Sequence, residues 1–178
     1  MSRAPDLEGS QPGFKSEFFA DLYEMEAANF WFRSRNQLIV WVLRRYFQHC
    51  KSFLEVGCGS GFVLTAVRER CKHLQVCGSE LFSEGLQYAR RRLPDVPLLQ
   101  LDARDMPFLE EYDVIGTFDV LEHIDEDEQV LAELWKVTKY GLVLTVPQHR
   151  FLWSALDELG GHKRRYSAPE LRSKLEKA

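Results

Sequence analysis

The sequence predicts an α/β protein built on a doubly wound, mostly parallel sheet. Three observations predict it. From residue 51 onward, short apolar stretches alternate with helical ones. The apolar stretches are apolar throughout, as strands covered by helices on both faces must be. The intervening segments are long enough for right-handed crossover helices.

Taken in order, residues 1–15 carry Gly, Pro and charge without an apolar run. They read as a disordered leader and not a signal peptide. Residues 16–50 read as a helical lid or packing segment. Its first helix starts near residue 17, a polar break falls near Arg33–Ser34, and an amphipathic helix runs from Asn36 to Gln48. In that helix Leu38, Ile39, Val42, Leu43, Tyr46 and Phe47 recur at helical spacing. Residues 51–178 read as the core. Ser52–Val56 is the first strand and Phe62–Arg70 the helix after it. Leu74–Gly78 is the second strand. Ser83–Leu93 is a helix capped by Ser83 and stopped by Pro94. Leu98–Leu101 and Tyr112–Phe118 are the third and fourth strands. Asp125–Thr138 is a helix whose Asp125-x-x-Glu128 start has capping-box spacing. Leu142–Val146 is the fifth strand, and a helix with a Ser167-x-x-Glu170 start closes the chain.

Composition excludes several classes. With 178 residues, 45% hydrophobic and 28% charged, the chain is sized for one globular domain. A net charge of −4 argues against a general nucleic-acid binder. No apolar run reaches the ~20 residues of a membrane helix. Cys50, Cys58, Cys71 and Cys77 form no CxxC pair and no zinc pattern, and read as free thiols of a reducing cytoplasm.

The strongest motif is Glu55-Val56-Gly57-Cys58-Gly59-Ser60-Gly61, at the first strand–helix junction. Its glycines permit a sharp turn and close approach of a ligand to the backbone; alone, such a turn is equally a tight structural connection. A dinucleotide fingerprint requires G-x-G-x-x-G, and Phe62 occupies the last glycine position, so a nicotinamide cofactor is disfavoured. Glu80 ends the second strand, where a carboxylate can accept from both hydroxyls of a ribose. Asp102 and Asp119 follow the third and fourth strands. Acids at the strand ends suit S-adenosylmethionine (SAM), a net cation with a sulfonium and an ammonium against one carboxylate.

Glu55–Gly61, Glu80, Asp102 and Phe118–Ile124 together resemble the motif set of class I SAM-dependent methyltransferases, near the type 11-like group. The resemblance covers roughly residues 29–166. It implies a Rossmann-like core of strand order 3-2-1-4-5. Against the seven strands of that core, the last two are lacking here. It implies that Gly57, Cys58, Gly59 and Gly61 cradle the methionine and ribose parts of SAM, with Glu55 orienting the amino group. Glu80 would hold the ribose, Leu81 would lie against the adenine, Asp102 and the Ala103 backbone would meet the adenine amino group, and Asp119 would line the methyl end. The segment Asn29–Phe32 resembles a lid over SAM, and Arg33 or Arg35 is placed to pair with the SAM carboxylate.

The loop after the fifth strand, dense in His, Arg, Trp and Tyr between Pro147 and Tyr166, falls where an acceptor would bind. His123, His149 and His162 are candidate general bases. They lack metal-ligand spacing, so no metal is expected. The expected activity is methyl transfer to a small-molecule or lipid-precursor acceptor. The alternative is a non-catalytic SAM-fold binding or regulatory domain. An open edge at the fifth strand makes a homodimer an expected partner state.

Overall fold

The computed structural model describes residues 18–178; the predicted leader over 1–15 lies outside the described residues. The elements are α1 (Phe18–Met25), α2 (Phe30–Tyr46), β1 (Ser52–Val56), α3 (Phe62–Arg70), β2 (Gln75–Glu80), α4 (Ser83–Arg92), β3 (Leu98–Gln100), β4 (Tyr112–Phe118), α5 (Asp127–Val137), β5 (Thr138–Thr145), α6 (Ala155–Leu159) and α7 (Ala168–Leu175). Short 3-10 turns lie at Leu121–His123 and Arg150–Leu152.

The strands form one sheet in the order β3-β2-β1-β4-β5, every pairing parallel. This is the predicted order. The central strands β1, β2 and β4 are mostly buried, as inner strands of a sheet covered on both faces are, while β3 and β5 at the edges are largely half-buried. Phe53 and Leu54 are neighbours on β1 and both fully buried, against opposite layers. Phe53 packs with Ile39, Leu43, Leu64 and Val114, and Leu54 with Ile115, Leu131 and Leu134. Because every strand points the same way, the carboxyl ends of all five emerge at one rim.

Four local expectations are corrected. The break in the N-terminal helices falls at residues 26–29, not at Arg33–Ser34. Asn29 caps α2, its side chain accepting from the Trp31 amide at 2.9 Å, and the helix runs unbroken through Arg33 and Ser34. Ser83 is the first residue inside α4 rather than its cap. Instead, the preceding turn is held by Glu80, whose Oε1 accepts from the Leu81 and Phe82 amides at 2.8 and 3.1 Å. The Asp125-x-x-Glu128 box does not form: α5 starts at Asp127 with no side-chain cap, because Asp125 is drawn to Lys163 and Arg164. Finally, β5 begins at Thr138, ahead of the predicted Leu142. A shift in its register with β4 is bridged by the Thr138 hydroxyl, which donates to the Asp113 carbonyl at 3.3 Å.

Candidate active site

A cavity of about 1140 Å³ opens at the carboxyl rim of the sheet, where ligands of such sheets bind. Its floor is the β1–α3 loop. The Gly57 and Cys58 amides both donate to the Ser79 carbonyl at 2.8 Å, pinning the loop to β2. Gly57 has φ +74, and a Cβ there would stand 2.4 Å from a methyl of Val120, so only glycine fits. Glu55, Gly57, Cys58, Gly59, Glu80, Leu81, Asp102, Ala103 and Asp119 all line the cavity. Gly61 does not. It lies beneath the floor at φ +78, where an added Cβ would meet the Ala89 backbone at 3.1 Å, and its part is to let α3 approach α4. Cys58 is buried, and burial pushes its thiol well up; it is a neutral lining group.

The four acids differ in what they have left to offer. Glu55 is 2% exposed and its Oε2 has no hydrogen-bond partner. Burial holds its carboxyl well above the usual range, with Arg35 partly opposing. Glu80 is also buried, and its carboxyl is raised by burial against the pull of three amides. Besides the two amides of its own turn, it accepts from Gly59 N at 2.9 Å, so it ties the glycine loop to the β2 end. A carboxylate offers about four acceptor positions, and three are used. Asp102 is gripped by Arg104 through both oxygens, at 2.7–3.2 Å. Burial pushes its carboxyl up, but Arg104 outweighs burial and the net shift is downward. Asp119 sits at φ +56. It accepts from the Thr145 hydroxyl at 3.0 Å and pairs with Arg35.

The roof comes from α1 and α2, through Phe19, Leu22, Trp31, Phe32 and Arg35. Of the two predicted arginines, only Arg35 faces the cavity; Arg33 is exposed and lines none of it. The Arg35 guanidinium lies 4.8 Å from the Trp31 ring centre and 5.5 Å from that of Phe32, contacts that desolvate the cation while stabilising it. Its Nε is buried without a partner. Arg92 holds α1 down. It donates to Glu26 at 2.7 Å, to the Ser60 hydroxyl at 2.9 Å and to the Tyr23 carbonyl at 2.9 Å, and stacks on Tyr23 and Phe62. Sequence reasoning misses this network, because nothing local links residues so far apart in the chain.

The remaining wall is the segment from Pro147 to Tyr166 together with the 3-10 turn after β4. All three predicted histidines line the cavity. His123 and His162 meet edge to face with ring centres 4.8 Å apart, while His149, at φ +65, packs on Phe151. Burial, then His162, lowers the His123 pKa to about 4, so its imidazole is neutral at neutral pH. The segment is organised by Asp157, which sequence reasoning placed in the loop without a role. Asp157 is 1% exposed. It accepts from Arg165 at 2.6 and 2.8 Å, from Ser154 N at 2.8 Å, and faces His162 Nδ1 at 2.9 Å. Arg165 foremost, then Ser154 and His162, hold its carboxyl far below the usual carboxylate range. The Ser154-x-x-Asp157 spacing of a capping box was the available signal, and the box forms at α6. Glu122, also unassigned from sequence, is fully buried with neither oxygen bonded to another residue.

A 3-2-1-4-5 sheet with acids at its strand ends and a glycine loop that breaks the dinucleotide pattern defines the Rossmann-like methyltransferase class. Comparison with known proteins agrees. The family model described as "Methyltransferase domain" matches residues 54–145, just over half of the chain. The chain belongs to that family. It is 31% identical over 118 residues to a dTDP-4-amino-2,3,4,6-tetradeoxy-D-glucose N,N-dimethyltransferase of Saccharopolyspora spinosa, a match covering 65% of this chain and 46% of that one. It is 30% identical over 119 residues to a mitochondrial ubiquinone biosynthesis O-methyltransferase of Candida albicans, covering 61% and 36%. The chain thus spans less than half the length of the curated relatives it matches. Among solved structures, the fold is shared with the PH0226 protein of Pyrococcus horikoshii OT3 (TM-score 0.68, 23% identity, 83% and 68% covered). It is also shared with SAM-bound CalS10, an amino pentose methyltransferase from Micromonospora echinaspora (TM-score 0.61, 24% identity, 70% and 54% covered).

Proposed function

We propose that the chain binds SAM and transfers its methyl group to a small-molecule or lipid-precursor acceptor. One observation carries the cofactor half of the reading. Glu55 Oε2 and Arg35 Nε are both buried, both without partners, and line one cavity. A buried acceptor and a buried donor left unpaired are costly. The ammonium and carboxylate of an α-amino acid satisfy the two together. Glu80, with one acceptor position left, takes one ribose hydroxyl directly and the second once one of its three amide donors yields. Leu81 and Ala103 flank the adenine, and Asp102 reaches its amino group once Arg104 yields an oxygen. Asp119 lies toward the methyl end.

When bound, SAM supplies an electrophilic methyl that passes in line to an acceptor lone pair as the carbon–sulfur electron pair returns to sulfur. The chain's tasks are then alignment and exclusion of water. The roof of α1 and α2 covers the donor half. His123, His149 and His162 face the acceptor half, where an unionised hydroxyl or ammonium would surrender its proton.

The lipid-precursor side of the reading is supported by the mouth of the cavity, where Trp31, Leu38, Leu152 and Leu156 are 49%, 57%, 51% and 76% exposed. No helix among the described residues is long and apolar enough to cross a membrane. Four buried free cysteines support a reducing compartment, the cytoplasm. The β5 edge, with Trp135 and Tyr140 exposed beside it, supports a homodimer; a single monomer mass in sedimentation at micromolar concentration would count against it.

Isothermal titration with SAM tests the central claim. Micromolar binding is expected, weakened at least about tenfold, or 1.4 kcal/mol, by Glu80→Ala. Because Glu80 also anchors Gly59, Glu55→Gln is run beside it with thermal unfolding of both. No heat from a folded chain overturns the reading. Binding without turnover across an acceptor screen favours the non-catalytic alternative.

A further inference from the structure

We propose that Glu122, His123 and His162 form a divalent transition-metal site on the acceptor side of the cavity. One ligand atom from each lies within 4.8 Å of the other two. In a tetrahedral zinc site, ligands at ~2.1 Å from the ion stand ~3.4 Å apart. The set therefore closes onto a cation with side-chain adjustments of about 1 Å.

Three independent features favour a cation here. Glu122 is fully buried, with both oxygens unbonded to any other residue. A buried carboxylate without a partner is costly, and a cation supplies one. His162 is pre-oriented: Asp157 Oδ1 stands 2.9 Å from its Nδ1, and an ionised carboxylate there favours the Nδ1-protonated tautomer, which leaves the Nε2 lone pair for a cation. This carboxylate–histidine arrangement behind a ligand is what metal sites use to aim imidazoles. The positive groups nearby are already committed. Arg35 is on Asp119, Lys163 on Asp125, Arg164 on Asp125 and Asp127, and Arg165 on Asp157.

Two histidines and one carboxylate are the ligand set of open catalytic sites, which keep a position for water or substrate. The site faces the same cavity as Asp119. Its role rests on the methyl-transfer reading. A hydroxylated acceptor binds the cation through its oxygen, which lowers the hydroxyl pKa. The proton passes to His149, the histidine the metal leaves free, and the oxygen lone pair attacks the methyl carbon. This narrows the acceptor to one methylated at oxygen.

The test uses the full chain stripped with chelator and titrated with Co²⁺, SAM being titrated separately. The expected result is visible d–d bands of low-coordinate Co²⁺ saturating at one ion per chain. His123→Ala, His162→Ala and Glu122→Gln should each weaken binding at least about tenfold, with far-UV circular dichroism confirming the fold. Asp157→Asn should weaken it by about 10–100-fold without abolishing the bands. Absent bands, or bands unchanged in the folded His162→Ala and Glu122→Gln variants, overturn the site. The two readings fail separately: Co²⁺ bands without SAM heat sink the cofactor reading alone, and SAM heat without bands sinks the metal alone.

Discussion

At the scale of single residues, the site depends on how burial moves protons. Glu55 has its carboxyl raised by burial, so on the proposed reading it must lose a proton to receive an ammonium. SAM affinity should therefore rise with pH until that carboxyl is ionised and level off beyond. Glu55→Gln should flatten that slope as well as lower affinity, and titration calorimetry from pH 5 upward checks both. His123 behaves oppositely with respect to stability. Its pKa falls from 6.5 to about 4 on folding, so between those values the unfolded chain binds more protons. Its contribution is a loss of stability as pH falls from 6.5 toward 4. Glu55, Glu80 and Glu122, all raised by burial, pull the other way, so only the difference is diagnostic. His123→Asn should lose less Tm than the parent between pH 7 and pH 5, in metal-free buffer. Of these residues, Glu55 was legible because it precedes the glycine loop at the end of the first strand, and Glu80 because it ends the second, where topology fixes position. Glu122 was not legible: an acid beside His123 is common on surfaces, and only the fold shows that Leu121 and Glu122 turn inward.

At the scale of elements, the sequence pattern located strands well and helix starts poorly. β1, α3 and β4 fall on the predicted boundaries, since buried strands and their crossover helices are read from hydrophobic runs alone. Helix starts depend on which partner wins a side chain. Asp125 has the spacing of a cap and is taken by Lys163 and Arg164, residues of a distant loop that no local rule can see. Where a cap does form, it has a defined worth. Ser167 accepts from Glu170 N at 3.3 Å at the start of α7, so Ser167→Ala should cost about 1 kcal/mol by urea denaturation. Gly61 is more demanding. Gly61→Ala forces a side chain into a left-handed backbone and against α4. A loss of about 2 kcal/mol is expected in the same assay, together with weaker SAM binding as the loop above it shifts.

At the scale of the whole molecule, the roof is fastened to the body through Arg92. With the Arg92 side chain 13% and that of Glu26 9% exposed, removing the cation strands a buried carboxylate. Arg92→Met should destabilise by about 3 kcal/mol, and amide exchange of residues 18–29 should accelerate well beyond that of the sheet. Equal acceleration everywhere would show that the roof and the sheet open as one unit. The roof was legible as a helical aromatic segment; its fastening was not, since it joins Tyr23, Glu26, Ser60 and Arg92 from three separate parts of the chain.

The two proposed halves of the cavity also stand on different supports. The donor half is anchored to the sheet, with its glycine loop and its acids Glu55, Glu80, Asp102 and Asp119 at or just beyond strand ends. The proposed acceptor half draws most of its side chains from a single excursion between β5 and α7, gathered around one carboxylate, Asp157. If the proposed acceptor half is the one that selects the substrate, that division makes acceptor choice a transplantable trait. Residues 148–166, moved as a block that keeps Asp157, Arg165 and Ser154 together, can be exchanged between relatives while the cofactor half stays untouched. Substrate range in such a lineage can then diversify by recombination of one segment, without passing through intermediates that have lost the donor.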